Sequence, residues 1–146
     1  VEVIQNLGHP RGIAIQGLEG GVIPSVRRRT RGIELTGSHQ VPLSVEPEDF
    51  GLACAGDPEL PLFCPTDDGT GSGDNPQLVE AAGSVTRALL LGESGPARSA
   101  TLLGAALILK AAGRALTVAD GVTAATEALD SGEPSRILER LRQLAA

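Results

Sequence analysis

Aromatic residues are nearly absent from this 146-residue sequence, which has no tryptophan or tyrosine and only two phenylalanines, Phe50 and Phe63. The chain therefore offers neither a platform for stacking single-stranded bases nor an aromatic cage for a quaternary ammonium group. Methionine is also absent, which fits a chain that begins inside a longer protein. Hydrophobic residues still make up 41% of the sequence, so we expect a domain-sized unit with a packed core.

Long apolar runs, a signal peptide and a metal-ligand cluster are missing too. No apolar run comes close to the length of a membrane-spanning helix, which is about 20 residues. We therefore expect a cytoplasmic protein with no membrane partner. Cys54 and Cys64 lie in a Pro-rich segment, and only His9 and His39 could join them as ligands. This spacing does not match a zinc site, so we expect reduced thiols and no metal.

Acidic residues outnumber basic ones by 18 to 12, which gives a formal net charge of −6. This balance argues against tight non-specific DNA binding by the chain as a whole. A local basic run nevertheless stands at Arg27, Arg28, Arg29 and Arg31. Guanidinium groups bind phosphate oxygens bidentately, so the run is a candidate for binding nucleic acid or another phosphate. The alternative is a solvated loop whose charges pair with nearby acids.

Apolar patterning predicts a small sheet followed by helices. A short amphipathic helix ends at Gly8, and strands are expected over residues 12–16, 32–36 and 40–45. Proline and capping residues predict four later helices, with starts near Pro76, Pro96, Thr117 and Pro134. The helix after Pro96 is apolar nearly all round, so we expect it to be central and buried.

Composition divides the chain into three regions. Residues 1–45 read as the end of a sheet, 46–75 as a Pro/Gly-rich connector, and 76–146 as closing helices of the same domain. Residues 68–74 (DGTGSGD) are similar to a glycine-rich phosphate loop. No strand precedes them, so a flexible connector is the favoured interpretation.

Two stretches are more specific than composition alone. One is VEPEDFGL at residues 45–52, and the other is the helical tail. The tail contains, in order, LGESGPAR, LLGAA, AGR, DGV and ALDSG. This order and spacing resembles the C-terminal half of the anthranilate phosphoribosyltransferase family, glycosyl transferase family 3. The resemblance extends over essentially the whole chain and is strongest from residue 45 to residue 132.

The resemblance implies an α/β fold: the C-terminal part of a TrpD-like, nucleoside phosphorylase-type domain. Family members also have an N-terminal helical domain, through which they form homodimers. That helical domain, the family's glycine-rich pyrophosphate loop and its Lys-His-Gly-Asn-type segment would all precede this chain. The resemblance therefore implies that the rest of its own polypeptide is this chain's first partner.

The loop after the first strand departs from the family pattern. In the family, the matching strand ends in His-Gly, and an Asp-Glu pair in the next loop holds magnesium on the diphosphate. Here the strand ends in Gln16-Gly17, and the positions of the acidic pair are occupied by Val22 and Ile23. Magnesium prefers carboxylate oxygens, which these residues lack. The departure implies a degenerate metal site.

A second departure is Gly104, which replaces the family's asparagine in the leucine-rich helix. In the altered loop after the first strand, Glu19 is a lone acid. Together these features are similar to a divergent TrpD-like branch, some members of which bind nucleic acid. We therefore expect a glycosyl (phosphoribosyl) transferase relative with weak or altered activity. The alternative is a catalytically inactive relative that binds nucleic acid through basic patches.

We expect no cofactor in this segment, and magnesium only if the full-length protein keeps its transferase activity. No catalytic residue and no metal ligand are assigned. Gln16-Gly17 ends a strand, where ligands of α/β proteins usually bind, although a turn that closes a sheet explains it equally well. The candidate site residues are, for the ligand loop, Gln16, Gly17 and Glu19, and for phosphate or nucleic acid, Arg27, Arg28, Arg29 and Arg31.

Overall fold

The computed structural model describes residues 1–18, 21–58 and 76–145. The parts of the chain outside these residues include Glu19 and the second part of the connector, residues 59–75, which contains Cys64 and the 68–74 loop. The described chain forms a three-stranded antiparallel sheet followed by helices. The predicted order, with short strands first and a packed helical tail after them, is therefore confirmed.

The sheet is a meander of three neighbouring strands. Helix α1 (Glu2–Asn6) precedes β1 (Arg11–Gln16), β2 (Thr30–Thr36) and β3 (His39–Val45), which lie in that order. Each strand begins one or two residues earlier than the apolar pattern predicted. Thr36 pairs with His39, so the β2–β3 turn consists of Gly37 and Ser38, as the sequence predicted. Gly37 has a φ of 60°, a left-handed conformation that a two-residue hairpin favours.

One face of the sheet contributes to the main core. Ile13 and Ile15 of β1 and Leu43 and Val45 of β3 pack there with buried residues of a central helix. Because side chains alternate along a strand, Gln16 points away from this core, to the opposite face. On that opposite face, α1 covers one end of the sheet, where its Ile4 contacts the position of Gly12.

A 3₁₀ helix (Pro47–Phe50) follows β3 directly and ends at Gly51 in the left-handed region. The first part of the predicted connector is thus structured. The remaining helices are α2 (Pro76–Leu90), α3 (Pro96–Ala111), α4 (Val118–Asp130) and α5 (Glu133–Ala145). The capping box predicted at the start of α4 is present, since Thr117 Oγ1 accepts from the Asp120 N–H and the Asp120 carboxylate accepts from the Thr117 N–H.

Helix α3 is the central element, as its composition predicted. Its Leu103 and Ala106 are fully buried between the sheet and α4. One side departs from the prediction, because Ile108 is 71% exposed. Within the ranges described, no helix is both long and apolar enough to span a membrane.

Candidate functional site

The register of the sheet brings three polar residues side by side at one end. Gln16 of β1 pairs with Arg31 of β2, and Arg31 pairs with Ser44 of β3. Directly opposed residues in an antiparallel sheet have Cβ atoms about 4.5–5.5 Å apart. All three side chains are exposed on the face away from the α3 core. Gln16 and Arg31, which lie 15 positions apart in the sequence, can therefore contact the same ligand.

Gly17 makes the turn that follows β1. Its N–H donates to the Gly21 carbonyl, and the Leu18 N–H donates to the Ile23 carbonyl at 2.8 Å. A Cβ atom on Gly17 would overlap the carbonyl oxygens of Gly21 and Ile23. Only glycine fits this position, so the turn after β1 depends on it.

The basic run extends from the loop before β2 into the first residues of that strand. We call residues 25–31, which include Thr30 and Arg31 of β2, the arginine loop. Its two ends are anchored, because the Ser25 N–H donates to Thr30 Oγ1 at 3.0 Å and both residues are buried. Val26 is fully buried in the main core. The arginine side chains between these anchors are exposed. The exposed arginine side chains are therefore carried by a backbone that buried, hydrogen-bonded residues hold in place.

The backbone of the arginine loop is also bonded to Asp57. Asp57 Oδ1 accepts from Ser25 Oγ at 2.8 Å, from the Val26 N–H at 2.7 Å and from the Arg27 N–H at 3.3 Å. Ser25 Oγ in turn accepts from the N–H groups of Arg27 and Arg28 at 3.2 and 3.1 Å. One carboxylate and one hydroxyl thus satisfy three successive backbone N–H groups.

A cavity of about 610 Å³ joins the two sets of predicted residues. Its lining comprises Gln16, Gly17, Leu18, Ser25, Arg28, Arg29, Thr30, Arg31 and Glu46. Five of the seven candidate residues therefore surround one space. Arg27 is exposed on the same loop but does not line the cavity, and Glu19 lies outside the described residues.

The charges around the cavity are predominantly positive. Arg29 forms an ion pair with Glu46, whereas Arg28 and Arg31 have no acidic partner among the residues that the structure describes. Two guanidinium groups thus remain available at the cavity. Sequence reasoning missed Glu46, Ser25 and Thr30, although Thr30 lies between two of the arginines and Ser25 is two positions before the first of them.

Val22 and Ile23, which the sequence analysis assigned to the positions of the family's acidic pair, do not line the arginine cavity. Val22 is 85% exposed, and Val22 and Ile23 line a separate apolar cavity of about 420 Å³ with Val85 and Ile108. Neither residue carries an oxygen ligand, and Glu46, the one carboxylate at the arginine cavity among the described residues, is bonded to Arg29. Across those ranges, no three His, Cys, Asp or Glu side chains come together as a metal site would require. Val22 and Ile23 therefore offer no oxygen side-chain ligand of the kind that magnesium prefers.

Comparison with known proteins gives a consistent relationship, although no family model matches the chain. The anthranilate phosphoribosyltransferase of Geotalea daltonii is 39% identical over 143 residues, which are 97% of this chain and 37% of the relative. The enzyme of the same name from Geobacter sulfurreducens is 36% identical, over 95% of this chain and 36% of its own length. The chain thus spans little more than a third of these relatives.

The fold comparison agrees. The crystal structure of anthranilate phosphoribosyltransferase (TrpD) from Thermus thermophilus superposes with a TM-score of 0.65 at 30% identity, over 95% of this chain and 36% of that one. The small antiparallel sheet followed by helices matches the C-terminal α/β part of that fold. The resemblance found in the sequence is therefore confirmed: this chain is related, over nearly its whole length, to the C-terminal part of the anthranilate phosphoribosyltransferase family.

Proposed function

We propose that this chain supplies an arginine-based phosphate-binding wall in a TrpD-like protein whose phosphoribosyl transfer is weak or altered. The observation that carries the proposal is the cavity in which Gln16 and Gly17 meet Arg28, Arg29 and Arg31. Guanidinium groups bind phosphate oxygens through paired N–H donors, and the Gln16 amide adds a further donor. The ligand class is therefore a diphosphate or another phosphate-bearing molecule.

The altered activity follows from the charges that the chain offers. A metal ion neutralises a leaving diphosphate and holds it in place. Val22 and Ile23 cannot bind that ion, so Arg28 and Arg31 would have to supply the positive charge themselves. Arginines bind the ground state without requiring magnesium, and we therefore propose binding of diphosphate that is independent of the metal.

Calorimetric titration of the full-length polypeptide with phosphoribosyl diphosphate tests this proposal. We expect the same affinity with magnesium and with a chelator. Arg28→Ala or Arg31→Ala should each weaken binding by about tenfold, since each removes a charge-assisted contact. Arg27→Ala is the matched control, because Arg27 is an exposed neighbour on the same loop that does not line the cavity. Binding that requires magnesium would contradict the proposal.

A second candidate function is binding of nucleic acid by a catalytically inactive relative. The observation that favours it is the exposure of Arg27 outside the cavity, which extends the basic surface beyond the space that a single diphosphate needs. With few aromatic side chains, contacts would be made to the phosphate backbone rather than to bases.

The two functions differ in how Arg27 and salt affect them. For DNA, the logarithm of the affinity falls linearly with the logarithm of salt concentration, with a slope of roughly 0.9 per phosphate contact. Arg27→Ala should then reduce the magnitude of that slope by the roughly 0.9 that one phosphate contact contributes. Arg28→Ala should have the same effect. If the ligand is a diphosphate confined to the cavity, Arg27→Ala should change neither the affinity nor its salt dependence. Homodimer formation through the family's helical domain, and a cytoplasmic location, stay predictions.

A further inference from the structure

We infer that Asp57 is a positioning residue that organises the arginine loop for anion binding, although its own charge is unfavourable to an anion. The inference rests on the function proposed above. Asp57 lies about thirty positions from the arginine loop, in the irregular segment that follows the 3₁₀ helix, and nothing in the sequence connected it with the arginines. The geometry points to a role that acts through the backbone.

The carboxylate bonds to the main chain and leaves the guanidinium groups free. Its Oδ1 atom accepts from Ser25 Oγ and from the N–H groups of Val26 and Arg27 at 2.7–3.3 Å. Among the described residues, Asp57 forms no ion pair with any Arg, Lys or His side chain. Its negative charge is therefore used to hold the backbone rather than to neutralise an arginine.

Ser25 extends this hold by one residue. Its hydroxyl donates to Asp57 and accepts from the N–H groups of Arg27 and Arg28. The Asp57 carboxylate and the Ser25 hydroxyl together fix the backbone from residue 25 to residue 28. The Val26 carbonyl, on the opposite side of the peptide, accepts from the Cys54 N–H at 2.8 Å, which ties the same point to the segment before Asp57.

Such a hold matters because the loop has no helix or strand of its own between residues 21 and 29. Three arginines on a free segment would lose backbone and side-chain entropy on closing around a phosphate. Fixing the segment in advance lowers this cost. The balance to be tested is whether the benefit of preorganisation exceeds the repulsion between the Asp57 carboxylate and a bound anion.

Whether substitution of Asp57 raises or lowers the affinity for an anion separates these two contributions. If Asp57 acted only through its charge, removing the charge would strengthen binding of an anion, and Asp57→Ala and Asp57→Asn would do so equally. If Asp57 positions the loop, Asp57→Ala weakens binding. Asp57→Asn keeps an oxygen at the position of Oδ1 that can still accept from the backbone N–H groups, so it should restore most of the affinity.

The experiment measures affinity for inorganic pyrophosphate by calorimetry in the full-length polypeptide, at a temperature at which every variant is folded by circular dichroism. We expect about a tenfold loss for Asp57→Ala and less than about threefold for Asp57→Asn, in line with the loss of one hydrogen-bonded anchor. Glu46→Gln is the matched charge control, because it removes a carboxylate from the cavity and releases Arg29. We expect it to strengthen binding, because a bound anion then meets one negative charge fewer and one further free guanidinium group.

Hydrogen exchange of the loop's peptide supplies a readout that charge alone would not change. Exchange at residues 26–28 should accelerate in Asp57→Ala and stay close to that of the unsubstituted protein in Asp57→Asn and Glu46→Gln. Affinity equal to or above that of the unsubstituted protein in Asp57→Ala overturns the inference and leaves the proposed function intact. If the unsubstituted protein does not bind pyrophosphate, both are overturned. Loss of binding in Arg28→Ala with no loss in Asp57→Ala rejects the positioning role alone.

Discussion

Helices α3 and α4 approach each other closely at Gly121 of α4, which makes a sharp prediction for alanine at that position. A Cβ atom there would lie 2.8 Å from both the Cα and the carbonyl oxygen of Ala106 in α3. Carbon atoms in ordinary contact are about 3.5–4.0 Å apart. Two of the three nearest atoms belong to the backbone, so no side-chain rotation relieves the overlap. We expect α3 and α4 to separate by about 0.7–1.2 Å, the difference between these distances.

The magnitude follows from two opposing contributions. Overpacking a core costs about 1–3 kcal/mol, and the upper part of that range applies where backbone must move. Alanine instead of glycine in a helix stabilises by about 1 kcal/mol. The net expectation for Gly121→Ala is a destabilisation of about 1–2 kcal/mol. Gly104 of α3 provides a matched control, because its Cβ would meet only Pro24 Cδ at 3.8 Å. Gly104→Ala should therefore stabilise by about 0.5–1 kcal/mol.

Native-state hydrogen exchange of α3 and α4 in the full-length polypeptide measures this difference directly, since about 1.4 kcal/mol corresponds to a tenfold change in the opening equilibrium. Gly121→Ala should exchange roughly 5 to 30 times faster than the unsubstituted protein, and Gly104→Ala more slowly. Equal stabilisation by both substitutions would show that helix propensity outweighs packing and would refute the reasoning. Equal destabilisation would show that Gly104 is more crowded than its surroundings indicate.

Three further predictions concern a cap, an ion pair and a turn. Thr117→Ala removes the capping box of α4 and should cost about 1 kcal/mol in a denaturation experiment, whereas Thr123→Ala, whose hydroxyl bonds back within the helix, should cost almost nothing. Lys110→Met leaves Glu34, with a side chain only 20% exposed, without its partner at 2.9 Å. It should cost about 1–2 kcal/mol, most of which a double variant with Glu34→Gln recovers. Gly17→Ala should open the turn after β1 and weaken pyrophosphate binding by about tenfold, with an unchanged helical circular-dichroism signal.

The local rules predicted what depends on neighbours in the sequence. The two-residue turn at Gly37 and Ser38 follows from residue type, and it fixes the β2–β3 register. The capping box at Thr117 and Asp120 needs residues only three positions apart. These elements were predictable because the chemistry that specifies them is short-range.

Contacts between distant positions, and the exposure that depends on them, could not be predicted from such local patterns. The bonds of Asp57 to the arginine loop join positions 30 to 32 residues apart through irregular segments, where no periodicity indicates proximity. The exposure of Ile108 also ran against the pattern of its helix. Hydropathy shows which residues can be buried, but the arrangement of neighbouring elements decides which of them are. The site was predicted as two unconnected sets, and the pairing of Gln16 with Arg31 is what unites them.

The altered loop has a simple physical organisation that links the family relationship to the proposed function. Val22, Ile23 and Pro24 line the apolar cavity against α3, and the next residue, Ser25, lines the arginine cavity. The chain therefore passes between Pro24 and Ser25 from the apolar cavity to the cavity that the arginines line. Under the function proposed above, Val22 and Ile23 occupy the positions of an acidic pair, so this part of the loop contributes apolar packing instead of metal ligands. The positive charge for a phosphate would then come from the segment after Ser25, which contains the arginines.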